Sequence, residues 1–514
     1  MQKTKLTSLA VLLVILLAVI APAIETCAAS DGWTQVAVRS VKAYPDLEET
    51  VWQKVPIMPP NGPYDKIGLH RLVKKGIKPL GVLFILPGTW SNGEQLISNP
   101  PEDPWTKDEA HTQAIYWANR GFDVYSIDYR THFVPIYLST SELSFMFDWG
   151  WDQWISDIKE AVDKAKEVSG AKRIYLAGES FGGVAAINYA SKYWKEDLKG
   201  LILLDPGASG AAVVGVKNPN PTNSFNLPAA LYAMNATGAW GSEVHSREGS
   251  TGGIFLFQYA DKYPGAPAEF PPGTPLQPPI NPITGKPWAN IAEWCAFAIY
   301  MAWGAGVVSN IYGGYGNALV MIHTCATFDR YWPTRLALET TAYIDWKNCP
   351  YLTYDFDEHY SEIDVPILVF QSERFGYALY GKINPGIANP DVTVNVLWGY
   401  GHLDVYSGEY SMNDVSAPVY EWMVSHRMLV GVGGLNINHK WICGEAAIYI
   451  NTTTIDFKVD GVRIPWVITS QCTIKTVEIY NGKGTLGYVS VLIAKDCNVG
   501  VAAGTNAFFL GELV

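Results

Sequence analysis

A chain of 514 residues, 48% hydrophobic and 17% charged, can bury a large core and is long enough for two or three domains. Its formal charge of −12, with 37 Lys and Arg against 49 Asp and Glu, excludes the basic footprint that nucleic acid requires, so no nucleic-acid partner is expected. The 19 Trp and 29 Tyr concentrate in mid-chain, where they either line an apolar cavity or fill a Gly/Pro-rich fold with short regular elements.

Residues 1–29 read as a secretory signal. Lys3 and Lys5 form the charged end, residues 9–20 the apolar core, and small residues at 21–23 and 27–29 offer cleavage points. The apolar core is short for a membrane span, so the expected location is secreted or extracytoplasmic, with retention at the cell surface as the alternative. Residues 35–43 and 68–73 read as strands of an antiparallel start. The run 81–86 is apolar throughout, the mark of a strand buried on both faces, and it ends in Pro87-Gly88-Thr89-Trp90. A helix pattern follows to Arg120, with Thr106 and Glu109 at capping-box spacing. Residues 122–127 form the next buried strand. Trp151, Trp154, Ile155, Ile158, Val162, Ala165 and Val168 recur at helical intervals up to Gly170. Residues 174–179 are a further apolar strand. They run into Gly178-Glu179-Ser180-Phe181-Gly182, then a small-residue helix, then the strand 201–204 that ends at Asp205-Pro206. Alternating helices and all-apolar strands imply a mostly parallel α/β sheet with helices on both faces.

The alternation stops at Pro206. Residues 206–361 are rich in Gly, Pro and aromatics and include a Pro-rich run at 270–279 and an apolar helix-like run at 291–311. A segment this long between core strands reads as a large inserted cap, or lid. The cluster Asp355, Asp357, Glu358 and His359 matches no calcium loop, and no Cys/His spacing suggests zinc, so no metal is expected. The core returns over residues 362–427, with strands at 365–370 and 392–397, the turn Gly401-His402-Leu403, and a closing helix from about Asp414 to His426. Residues 428–514 alternate in short runs separated by Gly turns and read as a small C-terminal all-β domain. Export would make disulfides plausible among Cys295, Cys325 and Cys349, or among Cys443, Cys472 and Cys497. Asn235 and Asn451 head glycosylation sequons.

The strand–Gly-x-Ser-x-Gly–helix order is the context of a nucleophile elbow. Its sharp turn strains Ser180, so Gly178 and Gly182 must lack bulk. Together with the turn at Pro87-Gly88-Thr89 and the downstream Gly-His, it resembles the α/β-hydrolase superfamily, over about residues 33–205 and 362–427. The resemblance implies an α/β-hydrolase core in two parts, 30–205 and 362–427, interrupted by the cap. It implies that Ser180 is the nucleophile and His402 its base, with the N–H groups of Phe181 and Thr89 (Trp90 the alternative) forming an oxyanion hole. The acid departs from the family pattern, because Phe375 stands near its usual place. Asp205 is the preferred acid, at the position used by pancreatic-type lipases, and Glu373 the alternative. The implied activity is that of a lipase/esterase-like serine hydrolase on a small-molecule or lipid ester, with no cofactor. An aminopeptidase or amidase on the same fold is the alternative, as is a non-catalytic exported binding or surface protein. The C-terminal β domain is a candidate for cell-surface or lipid contact.

Overall fold

The computed structural model describes residues 32–58, 62–97, 109–206, 238–241, 253–306, 314–345, 362–377 and 391–427, together with short strands between 435 and 501. The signal segment, the cluster at 355–359, both sequons, Cys349 and the three cysteines beyond residue 428 lie outside the described residues.

The centre of the molecule is a nine-stranded sheet in the order β1-β2-β3-β5-β4-β6-β7-β10-β11. Its strands are β1 (Thr34–Val41), β2 (Tyr44–Lys54), β3 (Ile67–Lys74), β4 (Val82–Leu86), β5 (Asp123–Asp128), β6 (Ile174–Glu179), β7 (Leu198–Leu204), β10 (Ile367–Ser372) and β11 (Val392–Leu397). A separate two-stranded pair is formed by β8 (Ala239–Gly241) and β9 (Tyr331–Pro333). The first three large strands and β5 pair antiparallel, and every pairing from β5 to β11 is parallel. β2 was missed by the hydrophobic pattern, because Pro45, Asp46, Glu48 and Glu49 break the apolar signal of its first half.

The apolar runs are continuous because alternate residues feed two different cores. From β4, Val82, Phe84 and Leu86 join the core on one face, and Leu83 and Ile85 the core on the other; Leu201 and Leu203 of β7 divide from Ile202 and Leu204 in the same way. Full burial of each such side chain contributes about 1.5–3 kcal/mol. The first face carries the helices Trp151–Ser169 and Phe181–Asp197, and the second carries Gln113–Asn119 and Ala417–Arg427. Among the described residues the helix before Arg120 runs from Gln113 with Thr112 as its N-cap, and the Glu109 carboxylate accepts from the Asn119 amide and the Arg120 guanidinium; Thr106 lies outside the described residues. Between β7 and β10 the described residues hold the helices Gly253–Lys262, Ile291–Trp303, Ala318–Ala326 and Thr334–Asp345. The second of these starts where Asn290 accepts from the Glu293 N–H and ends at Gly304 with φ 64°. Cys295 and Cys325 are both buried free thiols, held strongly protonated by burial. Among the described residues no helix is long and apolar enough to cross a membrane.

Candidate active site

The parallel strands end on one rim, and three residues with unusual backbone angles sit there: Trp90, Ser180 and Asp205, with φ of 62°, 52° and 46°. Ser180 lies between β6 and the helix Phe181–Asp197 with ψ −120°. Such a turn survives only if its neighbours leave room. A Cβ on Gly178 would meet the Gly182 carbonyl oxygen at 2.1 Å, and one on Gly182 would meet the Leu86 carbonyl oxygen at 2.0 Å. The Ser180 N–H is tied to the Leu204 carbonyl at 3.0 Å, which locks the turn to the adjacent strand.

His402 stands on the loop after β11. Its Nε2 is 2.7 Å from Ser180 Oγ, and its Nδ1 is 2.6 Å from Asp205 Oδ2. With the proton on Nδ1, the imidazole donates to Asp205 and accepts from the serine hydroxyl. Asp205 is fully buried; its other oxygen accepts from the Ser372 N–H at 2.9 Å, and Oδ2 also accepts from the Ser372 hydroxyl at 2.5 Å. Glu373 points elsewhere: it accepts from the Gly399 N–H at 2.6 Å and braces the turn before His402. Phe375, at the usual place of the acid, stacks on the imidazole with ring centroids 4.0 Å apart. Burial lowers the basicity of His402, but the hydrogen bond and charge of Asp205, followed by the charge of Glu179, outweigh it and leave the imidazole more basic than usual.

The N–H of Phe181 belongs to the first turn of its helix, where no intrahelical carbonyl is available to it. Thr89 shares the cleft with Ser180 and His402, on a turn closed by a Ser91 N–H to Gly88 carbonyl bond of 3.1 Å. That turn is anchored from the segment between β7 and β10. The Asp329 N–H donates to the Trp90 carbonyl at 2.6 Å, and the Asp329 carboxylate accepts from the Asn92 amide at 3.1 Å. The cleft is about 270 Å³, and Trp303, Phe328, Trp332 and Phe375 supply its aromatic walls. Among the described residues no group of His, Cys, Asp and Glu is arranged to hold a metal ion.

Four residues at this site carried no assigned role in the sequence: Ser372, Phe375, Trp303 and Glu179. Glu179 was visible inside the serine motif, while the other three owe their place to neighbours remote in sequence.

A family model described as serine aminopeptidase, S33, matches residues 108–230. No match to the chain is found among curated proteins. Among solved structures, a candidate lipase from Sulfolobus solfataricus is 36% identical with a TM-score of 0.57, over 76% of this chain and 98% of that one. The monoacylglycerol lipase of Paleococcus ferrophilus is 14% identical with a TM-score of 0.37, over 70% of this chain and 99% of that one. Identity at that level over nearly the whole Sulfolobus protein, on a mostly parallel sheet with a serine turn at its rim, shows that the chain belongs to the α/β-hydrolase superfamily.

Proposed function

We propose that the protein is an exported serine hydrolase that cleaves carboxylic esters through an acyl-enzyme on Ser180. The observation that carries this reading is the unbroken chain from Ser180 Oγ to His402 to Asp205, at 2.7 and 2.6 Å. His402 Nε2 takes the hydroxyl proton as Ser180 Oγ attacks the ester carbonyl. The resulting oxyanion is received by the Phe181 and Thr89 N–H groups, each worth about 3 kcal/mol in comparable sites. The imidazolium returns its proton to the departing alkoxide, which leaves as an alcohol. A water molecule, deprotonated by the same imidazole, then releases the carboxylate and restores the serine. Asp205 holds the imidazole in the required tautomer and stabilises its charge.

The aromatic walls favour an apolar acyl or alcohol group, and the lipase-like neighbour points to the same class. Residues 206–361 act as the cap that restricts entry, and the N-terminal segment directs export. The match to the serine aminopeptidase model supports a second reading, cleavage of an amide by the same residues. Fluorophosphonate labelling, paired with turnover of matched ester and amide substrates, tests both. The wild type should be labelled at Ser180 and favour the ester, and Ser180→Ala should lose labelling and turnover. Retained turnover in that variant refutes the assignment; a preference for the amide selects the second reading.

A further inference from the structure

Beside the serine turn, sharing Glu179 with the aromatic cleft, lies a cavity of about 20 Å³ lined also by Gln95, Tyr406, Thr112, Thr324 and His111, among others. That is room for about one water molecule. Three side-chain atoms on lining residues are buried with no hydrogen-bond partner: Glu179 Oε1, Gln95 Oε1 and the Tyr406 hydroxyl. The Thr324 side chain lies near enough to the Tyr406 hydroxyl to oppose the rise in its pKa that burial causes, but not within hydrogen-bond geometry. All three residues are less than a tenth exposed, and an unbonded polar atom at such depth costs about 1–3 kcal/mol. A single water can donate to the two carbonyl-type oxygens and accept from the phenol, which would satisfy all three.

The same Glu179 oxygen lies 3.6 Å from His402 Nε2, on the side of the ring that faces Ser180. Its other oxygen would stand 2.3 Å from a Cβ on Gly88, and the Gly88 backbone N–H favours the ionised form of the carboxyl group. The carboxyl group thus touches the imidazole, the oxyanion turn and the cavity at once. We infer that Glu179, braced by one buried water shared with Gln95 and Tyr406, is a positioning residue that supplies a second negative charge to His402 during attack. This rests on the reading of Ser180 as nucleophile.

The charged groups facing His402 are Asp205, Glu179 and Asp404, and those facing Glu179 are His402 and Asp205, with Tyr129 and Tyr406 also adjacent. Burial, opposed by His402 and reinforced by Asp205, pushes the Glu179 carboxyl up to about 7. It therefore changes charge in the range where the enzyme would work, ionising as the pH rises. An ionised Glu179 raises the basicity of His402, so its removal should lower that basicity.

The test is the pH profile of kcat/KM between about pH 5 and pH 9 for wild type, Glu179→Gln and Tyr406→Phe on a p-nitrophenyl ester. Fluorophosphonate labelling is read on all three. Glu179→Gln should remain folded and labelled, lose about tenfold in kcat with KM nearly unchanged, and show its acid limb at lower pH; one pKa unit corresponds to that tenfold. Tyr406→Phe should move the limb in the same direction by less. A high-resolution crystal structure should show one water bonded to Glu179, Gln95 and Tyr406. A lowered kcat with an unmoved limb would assign Glu179 a purely structural role, and a dry cavity would remove the water; either overturns the inference. A wild type that does not label overturns the reading of Ser180 itself.

Discussion

Asp205 combines a left-handed φ of 46° with a carboxylate that takes hydrogen bonds from His402, the Ser372 N–H and the Ser372 hydroxyl. Replacing it by Asn keeps the volume but exchanges one acceptor for a donor, which either Ser372 or the His402 Nδ1–H must then confront. Turnover of Asp205→Asn should fall by about 10⁴ in a folded protein, the scale known for a triad acid turned into an amide. Glu373→Gln should lose far less, because its bond to the Gly399 N–H is made by an oxygen that the amide retains. Steady-state kinetics on the two variants, with circular dichroism to verify folding, decides the matter; the reverse ranking would return the acid role to Glu373. The sequence brought both carboxylates forward because each follows a core strand. It preferred Asp205, one helix and one strand after Ser180 and so at the neighbouring strand end, but could not supply the groups that discriminate, since Ser372 and the Gly376 that leaves space beside Asp205 act through distance and not through residue type. A Cβ on Gly376 would stand 2.2 Å from the Asp205 carboxylate.

Among the elements, the join between β6 and its helix tolerates least. Gly182→Ala would push a methyl group to 2.0 Å from the Leu86 carbonyl, which is backbone and cannot rotate away. The variant should lose about 1–3 kcal/mol or more of stability and fail to label with fluorophosphonate, whereas Gly170→Ala, at a φ of 71° with open space around it, should destabilise only modestly and label normally. Thermal melts and labelling together check this. The turn carrying Thr89 depends on a different contact, between Asn92 and Asp329. Asp329→Ala should lower kcat more than it raises KM, because it frees the turn whose Thr89 N–H is proposed to meet the oxyanion and not the ground-state ester; a selective rise in KM would contradict that. Strands β4 to β7 and β10 were legible because burial on both faces leaves an uninterrupted apolar run. β2 was not, since its Glu49 is buried against Arg39 and His70, a pairing that no period in the sequence reveals.

At the scale of the whole molecule, that buried cluster sets a dependence on pH. His70 lies between Glu49, at 2.8 Å, and Asp128, at 2.7 Å. Burial disfavours its charge, yet the two carboxylates prevail and push it up to about 10 from an ordinary 6.5. A folded-state value above the unfolded one contributes stability in full below about pH 6.5, and that stability is lost as the pH rises through about 10. The melting temperature should therefore fall between pH 7 and pH 10, and His70→Gln should flatten that fall while lowering stability at pH 7. An identical slope in both proteins would exclude His70 as the cause. The site and the segment between β7 and β10 are also joined through backbone: the His402 N–H donates to the Trp303 carbonyl at 2.8 Å, and the N–H groups of Gly306 and Tyr315 both donate to Asp404 at 3.1 Å. A Cβ on Gly401 would strike Gly304 at 2.2 Å. Chimeras that exchange substrate preference by recombining everything between two core strands would cut these bonds at a stroke. The productive crossover is a narrower one, which leaves residues 303–315 with the host's own histidine loop and trades only the helices before and after them.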